Sequence, residues 1–212
     1  MSFGIHVTRE NTTLDANIKH YIDTYGVNSV QFFTHGPRNS RPSELDVPAI
    51  RRVCEMIAVY IHTSYLSTLT NTEHIIDQAN VAKSVNARGI VVHLPKKPVE
   101  FVVEHVEVLA RLSTVQIILE MTAIKAHPTD SYESPEKINR LIAGMIDRKI
   151  RNVGICIDTA HIYASGADIN SYDSATKYLN ALAYPDWISL IHLNGNMYDA
   201  SKRAGDKHTI PL

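Results

Sequence analysis

Six side chains able to bind a metal or move a proton, His62, His93, Glu120, Asp158, His161 and His192, stand at or just past the ends of apolar runs. A buried strand gains by staying apolar, and an ionised carboxylate is costly to bury unless a partner or a metal compensates it. The strongest instance is Val153-Gly-Ile-Cys-Ile-Asp-Thr-Ala-His161, a β-branched run that closes on a carboxylate and an imidazole. Imidazoles and carboxylates without thiolates suit zinc, manganese or iron. Asp206-Lys-His208 adds a carboxylate and an imidazole two residues apart, able to grip one ion from an extended segment. These donors outnumber what one tetrahedral ion takes, so a multinuclear site is implied. Divalent ions bridged by a carboxylate suit phosphoester hydrolysis. One ion lowers the pKa of a water, and the others neutralise phosphate oxygens and the leaving alkoxide.

The elements that must position these groups read as strands alternating with helices. Strand patterns lie at Phe3–Thr8, Ser29–Thr34, Met56–Ile61 ending at His62, Gly89–His93, Val115–Glu120, Val153–Asp158 and Trp187–Leu193. Helical spacing joins Leu14, Ile18, Tyr21, Ile22 and Tyr25 and stops at Gly26. A second helix is expected near Ser43–Cys54, and a third over Asn71–Ala87, stopping at Gly89. Pro98 opens a fourth, Ser134-Pro135 is an N-cap and first-turn pair for a fifth, and Ser171–Ala183 forms a sixth with Tyr178, Leu179 and Leu182 inward. The tail, Asn194–Leu212, is polar and turn-like.

Such alternation implies a parallel sheet with helical crossovers. No Gly-x-Gly-x-x-Gly follows the first strand and no phosphate-binding Gly-x-x-x-x-Gly-Lys-Ser/Thr occurs, which argues against a nucleotide-binding open sheet. The expected fold is α/β, a TIM (β/α)8-type barrel with seven strands countable, in one domain over residues 1–212 that is short at its C-terminus. In a barrel the polar strand ends meet at the C-terminal face, where such folds carry their chemistry.

With 44% hydrophobic and 20% charged residues the composition is that of a soluble globular protein. No apolar run approaches the roughly 18 residues of a membrane span. No secretory signal is visible, so an intracellular protein, cytoplasmic or nuclear and without a membrane partner, is expected. Cys54 and Cys156 each sit in an apolar run and read as buried free thiols in a reducing compartment. A net charge of −1 gives no global argument for nucleic acid. Locally the same strand ends gather cations: Arg38 and Arg41, Lys96 and Lys97, Lys125, and Lys202, Arg203 and Lys207. They would concentrate positive charge as a polyanion requires.

These residues resemble a known family, the endonuclease IV type of apurinic/apyrimidinic endonuclease, nearly from end to end. The resemblance is carried by His62-Thr-Ser-Tyr-Leu66, Val92-His93, Leu119-Glu120-Met-Thr-Ala123, Ile157-Asp-Thr-Ala-His161 with Ala164-Ser-Gly166, His192-Leu-Asn194 and Asp206-Lys-His208, in order. It implies a xylose isomerase-like barrel with about three zinc ions, manganese substituting in part. By position His62 and His93 would hold one ion with Glu120 as bridge. Asp158 and His192 would hold the second with Glu120, and His161, Asp206 and His208 the third. Glu120 and Asp158 are the expected catalytic carboxylates. The implied partner is double-stranded DNA containing an abasic site, cut 5′ to the lesion in base excision repair after the abasic nucleotide is flipped out. Arg38, Tyr65 and Leu66 match the residues that enter the bent duplex, an inserted wedge being a recurrent device. His6 matches a further family position.

The sequence departs from the family in places. The family's last strand ends in a glutamate that completes the second ion's coordination, whereas this sequence stops at Leu212, so that ion is expected to be one ligand short. Thr209-Ile-Pro-Leu212 stands where Gly-Glu-Gly is usual, Gly195 where an Asp is, and Ala160 where a Cys is. Two other readings are a homologue that binds DNA or metal without turnover, and a sugar isomerase-like metal-dependent barrel. The second would hold one or two ions rather than about three.

Overall fold

The computed structural model describes residues 2–9, 12–122, 132–197 and 207–209. Strands β1 (Gly4–His6), β2 (Ser29–Phe33), β3 (Ala58–His62), β4 (Gly89–His93), β5 (Gln116–Glu120), β6 (Val153–Asp158) and β7 (Ile188–His192) follow one another in sheet order as in sequence. Helices α1 (Leu14–Tyr25), α2 (Val47–Val53), α3 (Thr72–Ser84), α4 (Val99–Leu112), α5 (Pro135–Asp147), α6 (Thr159–Ala164) and α7 (Tyr172–Asn180) intervene. Seven parallel strands alternating with helices make this an α/β fold of the TIM-barrel type, as the strand count implied. Contacts group the chain into two compact units, one of Met1–Val92 with Leu112–Ile117, the other of His93–Arg111 with Ile118–Leu212.

In the first unit, β2 and β3 pair with Val30 beside Val59, Phe32 beside Ile61 and Phe33 beside His62. Ile18, Phe32, Ile61, Ile75 and Ile90 are fully buried in its core. Helix α1 presents Leu14 and Ile18, one turn apart, to that core and stops at Gly26, whose φ of 64° suits a residue without Cβ. Helix α2 is shorter than expected. The Asp46 carboxylate accepts from the Ala49 amide and so fixes the start beside Pro48. Strand β3 begins at Ala58 rather than Met56, which is 91% exposed, because Ile57 N–H turns back to the Cys54 carbonyl. Helix α3 ends at Ser84, not Gly89. Asn86 takes φ 58° and turns the chain, and Gly89 instead opens β4.

In the second unit, α4 buries Val102, Val103, Val106 and Leu109, and α5 buries Ile138, Leu141, Ile142 and Met145. A Cβ on Gly144 would stand 3.1 Å from Val103 Cγ2, so these two helices approach where no side chain intervenes. Ser134 caps α5 as its sequence implied, accepting from the Lys137 amide. Strand β6 is buried throughout, whereas β7 is half-exposed along its length. Helix α7 starts at a Ser171–Ser174 capping box and is shorter than expected, and Leu179 is 46% exposed rather than inward. The tail is not wholly turn-like. Strands β8 (Gly195–Asn196) and β9 (His208–Thr209) pair antiparallel, Asn196 beside His208. Among the described residues no helix is long and apolar enough to cross a membrane.

Candidate metal centre

The carboxyl ends of β4, β5, β6 and β7 supply most of the expected ligands, and all of these lie in the second unit from His93 onward. Glu120 closes β5, 1% exposed, with its backbone carbonyl accepting from Leu94 N–H at 2.8 Å, which ties the end of β5 to the residue after His93. Its carboxylate is the hub. His93 Nε2 lies 3.2 Å from Oε2, and His192 Nδ1 and His161 Nδ1 lie 3.3 and 3.4 Å from Oε1.

Asp158 ends β6 fully buried, and the structure gives it a second task that the sequence pattern did not reveal. It is the N-cap of α6, Oδ1 accepting from the Ala160 and His161 amides at 2.8 and 3.1 Å. Its other oxygen accepts from Asn194 Nδ2 at 2.7 Å and faces His192 Nδ1 at 3.7 Å and His208 Nε2 at 3.9 Å. His161 therefore sits on a short helix rather than in a loop. Its Nδ1–H donates to the Met121 carbonyl at 2.6 Å, the tautomer that leaves the lone pair on Nε2 for an ion. His208, half-exposed on β9, brings its ring to 5.3 Å from that of His161. Asp206, the remaining expected ligand of this group, lies outside the described residues, as do Lys125, Lys202 and Arg203.

The donor set fits divalent cations. Within the second unit two groups bring their ligand atoms within 4.8 Å of one another, Glu120 with Cys156 and His192, and Asp158 with His161 and His208. Two buried carboxylates faced by four imidazoles are the mixed oxygen and nitrogen chemistry that zinc takes. Burial of the His192 ring lowers its pKa. The facing Cys156 and hydrogen bonds to Asp158 and Glu120 outweigh that, and the net shift is upward. Burial pushes the Cys156 thiol up to about 12 and the Cys54 thiol up to about 11; both are buried and free, as expected.

In the first unit, His62 ends β3, buried, its Nδ1–H donating to the Thr63 carbonyl at 2.8 Å. It packs among His6, Phe33 and Tyr65, with ring centroids at 6.0, 4.8 and 5.7 Å. His6 Nδ1 is 3.1 Å from Gln31 Nε2. Tyr65 and Leu66 are 47% and 51% exposed on the loop after β3, and Arg38 and Arg41 are exposed on the loop after β2. The structure brings these loops together, because Tyr65 N–H donates to the Pro37 carbonyl at 2.8 Å. Lys96, Lys97 and Lys207, in the second unit, are exposed.

Three contributors escaped sequence reasoning. Asn194 stood in view in His192-Leu-Asn194, but a neutral amide carries no ligand signal of its own. The Met121 carbonyl is backbone and carries none. Cys156 is placed against Glu120 and His192 by alternation along β6, which the apolar run concealed.

Residues 20–211 match the family described as the xylose isomerase-like TIM barrel. A protein of African swine fever virus named Probable AP endonuclease is 30% identical over 198 residues, which cover 85% of this chain. The chain spans 65% of the length of that viral relative. The crystal structure of AsfvAP:AG superposes with a TM-score of 0.87 at 27% identity, covering 98% of this chain and 78% of that one. Endonuclease IV from Thermus thermophilus does so with a TM-score of 0.76 at 22% identity, covering 99% of this chain and 81% of that one.

Proposed function

Because the chain belongs to the xylose isomerase-like TIM barrel family of AP endonucleases, family 2, we propose that it is a zinc-dependent phosphodiester hydrolase that cuts DNA 5′ to abasic sites in base excision repair. The observation that carries this reading is the pair of buried carboxylates, Glu120 and Asp158, each faced by imidazoles within 4 Å. Divalent ions held there would supply Lewis-acid chemistry, lowering the pKa of a water and neutralising charge on the phosphate.

The chain's own residues do the rest. Glu120 offers two oxygens to two sides, one toward His93 and the other toward His161 and His192, as a bridging carboxylate must. By the resemblance Asp158 and His192 would hold a second ion with Glu120. His161 and His208 would hold the third ion, with Asp206 assigned by the resemblance. The resemblance likewise assigns His62 to the ion of His93. Asn194 and the Met121 carbonyl orient Asp158 and His161 and so fix which lone pairs face an ion. By the resemblance Arg38, Tyr65 and Leu66 would enter the bent duplex at the lesion, from two loops that the Tyr65 N–H bond to the Pro37 carbonyl joins. An intracellular protein organised as one barrel domain belongs to the same proposal.

The test is cleavage of a duplex carrying a single abasic site by zinc-loaded protein over a range of concentrations, beside a full-length relative. Nicking 5′ to the lesion, abolished by chelation and restored by zinc, is the expected outcome. An uncut duplex where the relative cuts would refute the hydrolase. If the protein nevertheless bound abasic DNA tightly, a binding role without turnover would replace it.

A further inference from the structure

We propose that His74 is a positioning residue for the loop after β3, holding Tyr65 and Leu66 in place through Ser67 and Gln78 only while its ring is neutral. The inference rests on the proposal that this loop enters the DNA duplex, and adds to it the residue that sets the loop's shape.

A directed chain of hydrogen bonds supports it. Ser64 N–H, which can only donate, meets Gln78 Oε1 at 2.9 Å, and the His74 carbonyl, which can only accept, meets Gln78 Nε2 at 3.0 Å. These two backbone groups fix which way round the Gln78 amide lies. Gln78 Nε2 therefore also donates to Ser67 Oγ, at 2.7 Å. The Ser67 hydroxyl, having accepted, has its own hydrogen to give, and His74 Nδ1 lies 3.2 Å away to take it. The neutral ring then keeps its proton on Nε2, which is buried without a hydrogen-bond partner. A second proton can enter only at Nδ1, the atom that the chain needs as an acceptor.

The chain grips the loop on both sides of the exposed pair. Ser64 and Ser67 flank Tyr65 and Leu66 and are buried beneath them. Leu66 N–H donates to Ser64 Oγ at 3.3 Å and Ser67 N–H to the Ser64 carbonyl at 2.8 Å, which closes the turn on itself. An imidazolium at His74 would reverse the last link. Its Nδ1–H would point at Ser67 Oγ, where Gln78 already donates, and the Ser67 hydrogen would lose its acceptor. The surroundings favour the neutral ring. His35 faces it from the loop after β2, with ring centroids 5.3 Å apart, the loop after β3 presents the neutral Ser67, and Asp77 lies on the same helix. Burial and then His74 lower the pKa of His35, with Asp77 opposing, so a charge on either ring disfavours a charge on the other.

The experiment compares the zinc-loaded full chain with His74→Asn and His74→Gln. Asn sets an oxygen where Nδ1 stood, able to accept from Ser67 and unable to titrate. Gln sets its amide where Nε2 stood and leaves Ser67 without an acceptor. In the native chain, which needs no variant, the imidazole nitrogen NMR spectrum should show the Nε2–H tautomer of His74 at about pH 7.5. Amide exchange at Ser64 and Leu66, corrected for intrinsic rates, should quicken about 10-fold on acidification to about pH 5.5. His74→Asn should keep the protection and lose the pH response, whereas His74→Gln should exchange fast at both pH values. With abasic duplex, KM should stay near native in His74→Asn and rise about 10-fold in His74→Gln, with kcat unchanged. An Nδ1–H tautomer, loop exchange indifferent to pH, equal protection in the two variants, or a fall in kcat with KM unchanged would overturn the positioning role. Loop exchange that follows His74 while abasic duplex is neither bound nor cut would sustain His74 as the loop's support and sink the nuclease.

Discussion

In the first unit the loop after β3 is held from below by neutral side chains. Gln78, fully buried on α3, accepts from Ser64 N–H at 2.9 Å and donates to Ser67 Oγ at 2.7 Å and to the His74 carbonyl at 3.0 Å. Ser67, having accepted from Gln78, donates to His74 Nδ1 at 3.2 Å. That leaves the His74 proton on Nε2, in a ring set at 85° to that of His35, with centroids 5.3 Å apart. Gln78 and Ser67 are matched within the set, His74 Nε2 is buried without a hydrogen-bond partner, and what the set supports is a pair of exposed residues, Tyr65 and Leu66. In the second unit the strand ends bury two carboxylates among imidazoles. Each ring meets a carboxylate through one nitrogen, which a neutral imidazole can offer as its donor. The first network is neutral and shapes a surface; the second gathers two buried carboxylates with imidazoles, the donor chemistry of a site for cations.

The largest effect should come from removing the hub. Glu120→Gln keeps the shape but takes away the shared negative charge, so zinc content measured by elemental analysis should fall by at least one ion. Cleavage of abasic duplex should drop at least about 100-fold, more than loss of an outer partner costs. A variant with a full ion complement at unchanged affinity would erase the distinction between the two units. Next in size is Asn194→Ala, which removes the amide that donates to Asp158 Oδ2. It should weaken one zinc by about 10- to 100-fold in a competition titration while leaving the fold intact. No change would mean that the N-cap bonds from Ala160 and His161 alone orient Asp158.

Those two residues also mark what the sequence made legible. Strands β4 and β6 begin and end where their β-branched runs do, and the Ser134-Pro135 start of α5 is where its chemistry put it. Local signals sufficed because each is written in adjacent residues. The ligands at strand ends were legible for the same reason, a polar residue closing an apolar run. Asp158 as a helix cap was not, because Thr159-Ala-His161 has too few residues to show a helical period. Asn86 displaced Gly89 as the stop of α3 because an amide can also take positive φ, which no glycine count records. Gln78 lies one turn past Ile75 on the inward face of α3, yet its partners, Ser64 and Ser67, come from another loop and only folding introduces them. Partnership across the chain was the missing information for Gln78, and local backbone geometry that residue type does not specify was missing for Asp158 and Asn86.

The first unit's network can be broken without touching a carboxylate. Gln78→Leu fills similar volume but strips partners from Ser64 N–H, Ser67 Oγ and the His74 carbonyl. An unmatched buried group costs about 1–3 kcal/mol. In a chain of this size each kcal/mol lowers Tm by about 2–4 °C, readable by calorimetry. Zinc content should be unchanged, whereas affinity for abasic duplex should fall because the Tyr65–Leu66 loop loses its support. Loss of zinc with Tm unaltered would contradict the separation of roles.

The smallest effect, and the sharpest on charge, concerns His35. Burial lowers its pKa below 6.5, the neighbouring His74 lowers it further, and Asp77 opposes. The folded state therefore favours the neutral ring, and the unfolded chain takes up a proton at higher pH than the folded one. Its contribution to stability is fully present above pH 6.5 and is lost as pH falls from there toward the lowered folded value. His35→Asn keeps a polar group near Thr34 Oγ1, which lies 2.9 Å from His35 Nδ1, but does not titrate. Metal-free protein of both forms, unfolded in urea from about pH 7.5 down to about pH 5, should give curves that diverge below pH 6.5, the native losing stability faster. The imidazoles of the second unit titrate alike in both and cancel in the difference. Parallel curves would show that His35 is not a charge-sensitive member of the first unit, and it would then count with Gln78 as a neutral support.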